Sequence, residues 1–296
     1  MLERRVQPAP SLRRALRAAL LGLLCAALGN AWAQGDARRG EYLAKAGGCV
    51  GCHTEKKQDA VAFAGGRELK TPFGTFYGPN LTPHPQAGIG RWTEADFIRA
   101  MRQGDRPDGK NYFPAFPYPS FTKINDGDLR DLWAYLRALP HSSQASRAHD
   151  LGFPFGWRFL VTFWKWLFFT PGPFTSLPGV SDVINRGAYL VLALGHCGEC
   201  HTPRNFLGGP KKSRTLAGGM GPEGKHVPNL TPATLKKWND TELKDFLVFG
   251  SSPDGDVPAE AMGEVIRNTT SKLTPADMAA MIAYLRSLPP IADEKR

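Results

Sequence analysis

Apolar positions recur at helical spacing in two places. Leu132, Leu136 and Leu139 form one stripe at i, i+4, i+7, and Met281, Leu285 and Leu288 form another. Each stripe predicts a helix with one core-facing side. The first helix starts after Asn125, and the second at Thr274-Pro275-Ala276-Asp277, with proline at the first helical position. Upstream of each stripe lies another helical stretch, opened by Trp92 and by Trp238. Thr93 with Asp96, and Asn239 with Glu242, stand at capping-box spacing there. A further helix precedes each of these and carries a cysteine motif at its end. Long Gly/Pro-rich loops join the three helices of each half, so something besides side chains must complete the core.

Two apolar runs break this pattern. Residues 18–29 follow Arg4, Arg5, Arg13, Arg14 and Arg17 and lead to Ala31-Trp32-Ala33. This reads as a signal peptide over residues 1–33, cleaved before Gln34, because the run is short of the roughly 20 residues a span needs. Cys25 lies inside it, after a leucine too large for a usual lipoprotein cleavage site. The second run, residues 153–174, holds seven Phe and three Trp. Its most apolar part, residues 159–169, is interrupted by Lys165 and is also too short to span a bilayer. It reads as a strap packed across two domains, or alternatively as a docking surface for a membrane or a partner subunit.

The chain repeats itself. Arg39-Gly40-Glu41-Tyr42-Leu43 returns as Arg186-Gly187-Ala188-Tyr189-Leu190, and Pro79-Asn80-Leu81-Thr82-Pro83 as Pro228-Asn229-Leu230-Thr231-Pro232. Pro107-Asp108-Gly109 returns as Pro253-Asp254-Gly255, and Tyr135 to Pro140 as Tyr284 to Pro289. The expected division is residues 34–145, an aromatic linker 146–181, and residues 182–296.

Four of the five cysteines fall into two strings, Cys49-Val50-Gly51-Cys52-His53 and Cys197-Gly198-Glu199-Cys200-His201. Both read C-x-x-C-H, the attachment signature of haem c. Positions i, i+3 and i+4 share one helix face. Two thiols there can bond the porphyrin vinyl groups, and the histidine can sit under the iron. A redox dithiol, a disulfide or a zinc site would explain a bare CxxC, but not a histidine after both motifs. The repeat spacing is close: Asn80 and Asn229 follow the two histidines by 27 and 28 residues.

The formal charge is +10, of which the leader's five Arg and one Glu contribute 5 − 1 = +4. The remaining +6 or so is largely offset by up to four haem propionates, and no Arg/Lys stripe with interleaved aromatics appears. Nucleic-acid binding is therefore not expected, while a basic docking patch for an acidic redox partner remains compatible.

The distal side differs between halves. Met262 lies seven residues after Gly255 and 61 after His201, and is the natural sixth ligand of the second haem, raising its potential. The equivalent place after Gly109 holds Phe116, which cannot ligate iron. Met101 sits mid-helix, opposite Leu247 in the other copy, and reads as core. His84, His141 and His149 are the alternatives in this half. The first haem is expected to be five-coordinate or unusually ligated, and lower in potential than the second.

These strings resemble the cytochrome c subunits of periplasmic, membrane-bound dehydrogenases, such as alcohol and gluconate dehydrogenases. The match is carried by Ala64-Gly65-Gly66, Thr71-Pro72-Phe73-Gly74-Thr75, Pro79-Asn80-Leu81-Thr82-Pro83, Gly88-Ile89-Gly90 and the loop Tyr112 to Tyr118, apart from Phe116. In the second half it is carried by Asn185 to Leu190 and His196 to Arg204. The resemblance implies a mostly α fold: two tandem class I-like cytochrome c domains with long haem-wrapping loops. It implies thioethers at Cys49, Cys52, Cys197 and Cys200, proximal ligands His53 and His201, and Met262 as a distal one. The implied role is electron transfer from a dehydrogenase subunit to quinone, another cytochrome or an oxidase. Many such subunits carry three haem motifs, and this chain has two. The alternative is a di-haem enzyme, a peroxidase or sulfur-compound oxidase, using an open first haem; the mostly apolar loop around Phe116 offers such chemistry little acid or base. A gas sensor would need an output domain, and nothing resembling one appears.

Overall fold

A computed structural model describes residues 35–221 and 224–294. The leader, its cleavage site and Cys25 lie outside the described residues. The first half contains helices α1 (Ala37–Ala46), α2 (Cys49–His53), α3 (Glu94–Gln103), α4 (Tyr118–Phe121) and α5 (Asp126–Arg137). The linker contributes α6 (Leu160–Phe168). The second half contains α7 (Asp182–Tyr189), continued by a π-helical turn (Leu190–Leu194), then α8 (Gly198–His201), α9 (Pro232–Leu235), α10 (Asp240–Phe249), α11 (Glu260–Asn268) and α12 (Pro275–Ser287). Strands are short: β1 (Glu68–Thr71), β2 (Gly74–Tyr77) and β3 (Asp150–Leu151) form an antiparallel sheet in that order, with Leu69 opposite Phe76. β4 (Gly219–Met220) and β5 (His226–Val227) pair in the second half.

Local chemistry sets the main helix starts. Thr93 and Asn239 cap α3 and α10 in full capping boxes with Asp96 and Glu242, and both helices stop at a left-handed glycine, Gly104 and Gly250. Asn125 and Thr274 cap α5 and α12. The cysteine motifs depart from the expected continuation of the first helix. α1 ends at Ala46, Gly48 turns the chain at φ 61°, and the motif occupies its own short helix α2.

In each half the first and last helices cross at closest approach. A Cβ on Gly40 would lie 1.9 Å from the Asp131 carbonyl oxygen, and one on Gly187 would lie 1.9 Å from that of Ala280. Only glycine admits this crossing, which buries Leu43 and Ala44 with Leu129, Leu132 and Leu136, and Ala188 and Val191 with Met281 and Leu285. The main buried cluster runs through both halves without interruption.

The halves meet through a reciprocal contact built from the repeated Arg-Gly-x-Tyr-Leu. The Tyr42 hydroxyl donates to Asp277 Oδ2 at 2.5 Å and accepts from the Thr274 N–H at 3.3 Å. Tyr189 does the same in the opposite direction, donating to Asp128 Oδ2 at 2.7 Å and accepting from the Asn125 N–H at 3.2 Å. Each tyrosine thus plugs the N-terminus of the other half's last helix. Within each half the repeated arginine holds the same aspartate: Arg39 to Asp128 at 3.0 Å, and Arg186 to Asp277 through two hydrogen bonds of 2.8 and 2.7 Å.

The linker packs as a strap on both halves and leaves an apolar outer face. Phe169 stacks edge-on against Tyr118, Phe174 against Tyr189, and Phe168 lies on Gly209. No helix among the described residues is long and apolar enough to cross a membrane.

Candidate haem-binding sites

In both halves the turn of helix at C-x-x-C-H places two thiols one turn apart, followed by the histidine. The imidazoles are held alike. His53 Nδ1 lies 2.8 Å from the Pro79 carbonyl oxygen, and His201 Nδ1 lies 2.7 Å from that of Pro228. A carbonyl only accepts, so Nδ1 carries the proton and Nε2 is the nitrogen available to a metal. Burial holds both imidazoles below the usual histidine pKa, which favours the neutral, ligating form. Burial also pushes the thiols up, Cys49 and Cys197 to about 12 and Cys52 to about 11, with Glu264 adding to the rise at Cys52.

The repeated Pro-Asn-Leu-Thr-Pro explains how the carbonyls are positioned. Asn80 and Asn229 are buried, and each accepts the N–H of the threonine two residues on, at 2.8 Å. Their amide groups donate to the segment after the last helix: Asn80 to the Ser142 and Gln144 carbonyls at 2.9 and 2.8 Å, Asn229 to that of Ile291 at 2.7 Å. On the other side of each motif, the Gly65 N–H donates to the His53 carbonyl and the Gly218 N–H to that of His201, both at 2.8 Å. The orienting role of Pro79 and Pro228 is invisible in their side chains. The available signal was the recurrence of the string at nearly the same distance from each histidine.

The other residues singled out in the sequence separate as follows. Met262 lies on α11, half-buried against the main core. Phe116 is half-buried in an aromatic group, 5.3 Å from the Tyr112 ring and 5.8 Å from that of Phe121. Met101 is core, packed with Phe97. His84 Nδ1 accepts the Ala87 N–H at 3.0 Å, His141 faces His84 edge-on, and His149 Nδ1 accepts the Tyr77 N–H at 3.2 Å between the Phe76 and Phe113 rings.

The two motifs are close neighbours across the pseudo-symmetric contact. α11 packs on α2, where Gly51 faces Asn268 and Glu264. Reciprocally, α4 packs on the second motif: the Ser120 hydroxyl donates to Glu199 Oε1 at 2.6 Å, and Phe121 meets the His196 ring at 5.3 Å. The residues present therefore fit a covalently attached haem in each half: paired thiols, a neutral oriented imidazole, and loops closing an apolar surround. Among the described residues no three His, Cys, Asp or Glu side chains converge on a point that could hold a metal ion.

The cytochrome c family model matches residues 37–140 and again 184–289. A diheme cytochrome c-type protein of Cereibacter sphaeroides is 42% identical over 299 residues, covering 95% of this chain and all of that protein. The cytochrome c subunit of the quinone alcohol dehydrogenase of Gluconacetobacter polyoxogenes is 38% identical over 269 residues, and the fructose dehydrogenase cytochrome subunit of Gluconobacter japonicus is 38% identical over 261. Each of these two matches covers 86% of this chain, but only 56% and 53% of the respective relatives, so the chain spans about half the length of those dehydrogenase subunits. Nothing in these relatives supports the reading as a peroxidase or sulfur-compound oxidase. Matched by the same family model in both halves, and over 95% of its length by a diheme relative, the chain belongs to the cytochrome c family and is an electron carrier of two haems c.

Proposed function

We propose that Cys49 and Cys52 attach the first haem with His53 as its proximal ligand, and that Cys197, Cys200 and His201 do the same for the second, with Met262 as distal ligand. The observation that carries this is the twofold recurrence of a C-x-x-C-H turn whose histidine is oriented through Nδ1 by a proline carbonyl. Haem iron cycling between ferric and ferrous states supplies the one-electron chemistry. The chain's own part is to hold the imidazoles neutral and aimed, to keep water from the iron, and to fix the two motifs side by side.

The donor in this reading is a dehydrogenase, and the acceptor a respiratory-chain quinone, cytochrome or oxidase. Support comes from relatives named as cytochrome subunits of dehydrogenases. The export leader supports a periplasmic setting. A membrane-peripheral position is supported by the strap. Its cations turn inward: Lys165 to Asp105 at 2.6 Å, and Arg158 to the Asn111 carbonyl at 2.8 Å. Its outer face is left to Phe153, Phe159, Phe163 and Trp166, the last 83% exposed.

Haem counting tests the site assignment. The exported protein should carry two haems per chain, and Cys197→Ala/Cys200→Ala should carry one and lose the higher-potential wave. Two haems retained in that variant would refute the assignment.

A further inference from the structure

Helix α11 has two faces with different owners. Met262 and Ile266, one turn apart, lie on one side, with Met262 against the main core and Ile266 buried. Glu260 and Glu264, also one turn apart, are rotated about 200° from Met262 in one sense or the other and look back at the first half. There Arg67 Nη2 donates to Glu264 Oε2 at 2.8 Å, both side chains being more than four-fifths buried. Lys56 Nζ reaches Glu260 at 2.7 Å and Glu264 at 3.3 Å. Both cations leave from the segment wrapped behind the first motif. Thr54 bridges to Gly65, and the Gly65 N–H is tied to the His53 carbonyl. Gly51, inside the first motif, lets the helix approach until a Cβ there would be 3.4 Å from the Glu264 and Asn268 side chains.

Among the described residues, the hydrogen-bonded ion pairs made by Glu260 and Glu264 both run to the first half. α11 begins at Glu260, after the loop over residues 250–259, its N-cap Ala259 offers no side-chain cap, and Arg67 aligns with Met220 in the repeat. The helix bearing the second haem's distal methionine is thus pinned through ion pairs supplied by the first haem's domain.

We propose that Arg67 is a positioning residue for the second haem: by clamping Glu264 across the domain contact, it holds α11 so that Met262 stays on the iron. This rests on Met262 being the distal ligand. The clamp acts by position rather than by charge, and the two can be told apart. A purely electrostatic role predicts opposite shifts of potential, since Arg67→Gln removes a positive charge and Glu264→Gln a negative one. A clamp predicts the same shift for both, because each loosens a ligand that raises the potential.

The experiment uses exported holoprotein of the parent, Arg67→Gln, Glu264→Gln and Met262→Ala. Each is read by redox titration and by carbon monoxide stoichiometry of the reduced form. Expected for both clamp variants is a fall in the second haem's potential and up to one more equivalent of carbon monoxide bound than by the parent, in the direction of Met262→Ala. The double variant should shift no further than either single one. Opposite shifts with unchanged carbon monoxide binding, or a change confined to the first haem, would overturn the clamp while leaving Met262 as ligand. A Met262→Ala protein identical to the parent would overturn the ligand assignment and the clamp with it. If Arg67→Gln fails to mature, Glu264→Gln gives the same reading from outside both attachment motifs, and Arg67→Lys should restore the parent's behaviour in large part.

Discussion

At the residue scale the two halves carry different side chains at one repeated place, Phe116 in the first and Met262 in the second. Phe116 fills its place with a ring packed on Tyr112, Tyr118 and Phe121, so under the proposed ligation the first iron would receive no methionine sulfur from this loop. The first haem should titrate below the second. Phe116→Met should raise its potential toward the second and abolish any carbon monoxide binding at that site, both read by spectroelectrochemistry. A variant whose first haem keeps the parent's potential would show that the loop does not lie over the iron. A second residue-scale consequence concerns acid. Burial by itself would raise the Asp277 carboxyl, but hydrogen bonds from Arg186 and Tyr42 outweigh it and hold the pKa below the ordinary carboxylate value. A carboxylate depressed in the folded state stabilises the fold above its unfolded pKa of about 3.9, and that contribution disappears as pH falls through the lower folded value. Thermal melts of the holoprotein should therefore lose stability below about pH 4 partly through Asp277. Asp277→Asn should cost about 2 kcal/mol at neutral pH and show a shallower acid slope. An equally steep slope in the variant would remove Asp277 from the account.

At the element scale, what the sequence made legible follows from how local each cause is. The starts of α3, α5, α10 and α12 were readable because a capping side chain and its N–H partners lie within four residues. α4 and α11 carried no comparable signal: neither has a side-chain cap, and each is held by groups of the other half, Glu199 for α4 and Arg67 for α11. Lys165 looked like an interruption of an apolar run, and its inward turn was decided by Asp105, 60 residues away. The glycines at the helix crossings were visible as part of a repeat, though not as points of contact. Gly187→Val should cost about 3 kcal/mol or more in denaturant unfolding, because the new side chain must displace backbone at Ala280 rather than a flexible tip. A loss under about 1 kcal/mol would mean the crossing can widen freely.

For the whole molecule, the strap gives the two-domain body a distinct side. Its apolar outer face predicts that the holoprotein co-sediments with vesicles of mixed phosphatidylglycerol and phosphatidylethanolamine. Phe163→Ser/Trp166→Ser should bind roughly tenfold more weakly, with unchanged haem spectrum. Equal binding by the variant would move the membrane contact elsewhere, and binding by neither protein would leave the face to a protein partner.

The reciprocal tyrosine contacts carry a consequence for assembly. Tyr42 on Asp277 and Tyr189 on Asp128 are the same contact made twice about a local twofold axis, which is how two identical subunits meet in a symmetric dimer. A single-domain carrier built this way would come apart on dilution, and its haem pair with it. Joining the copies in one polypeptide makes the encounter intramolecular, so the pair persists however scarce the protein is. It also frees the copies to diverge. A symmetric dimer must place the same residue in both copies, whereas here the repeated place holds phenylalanine in one and methionine in the other, and under the proposed ligation that difference would give the electron a built-in direction.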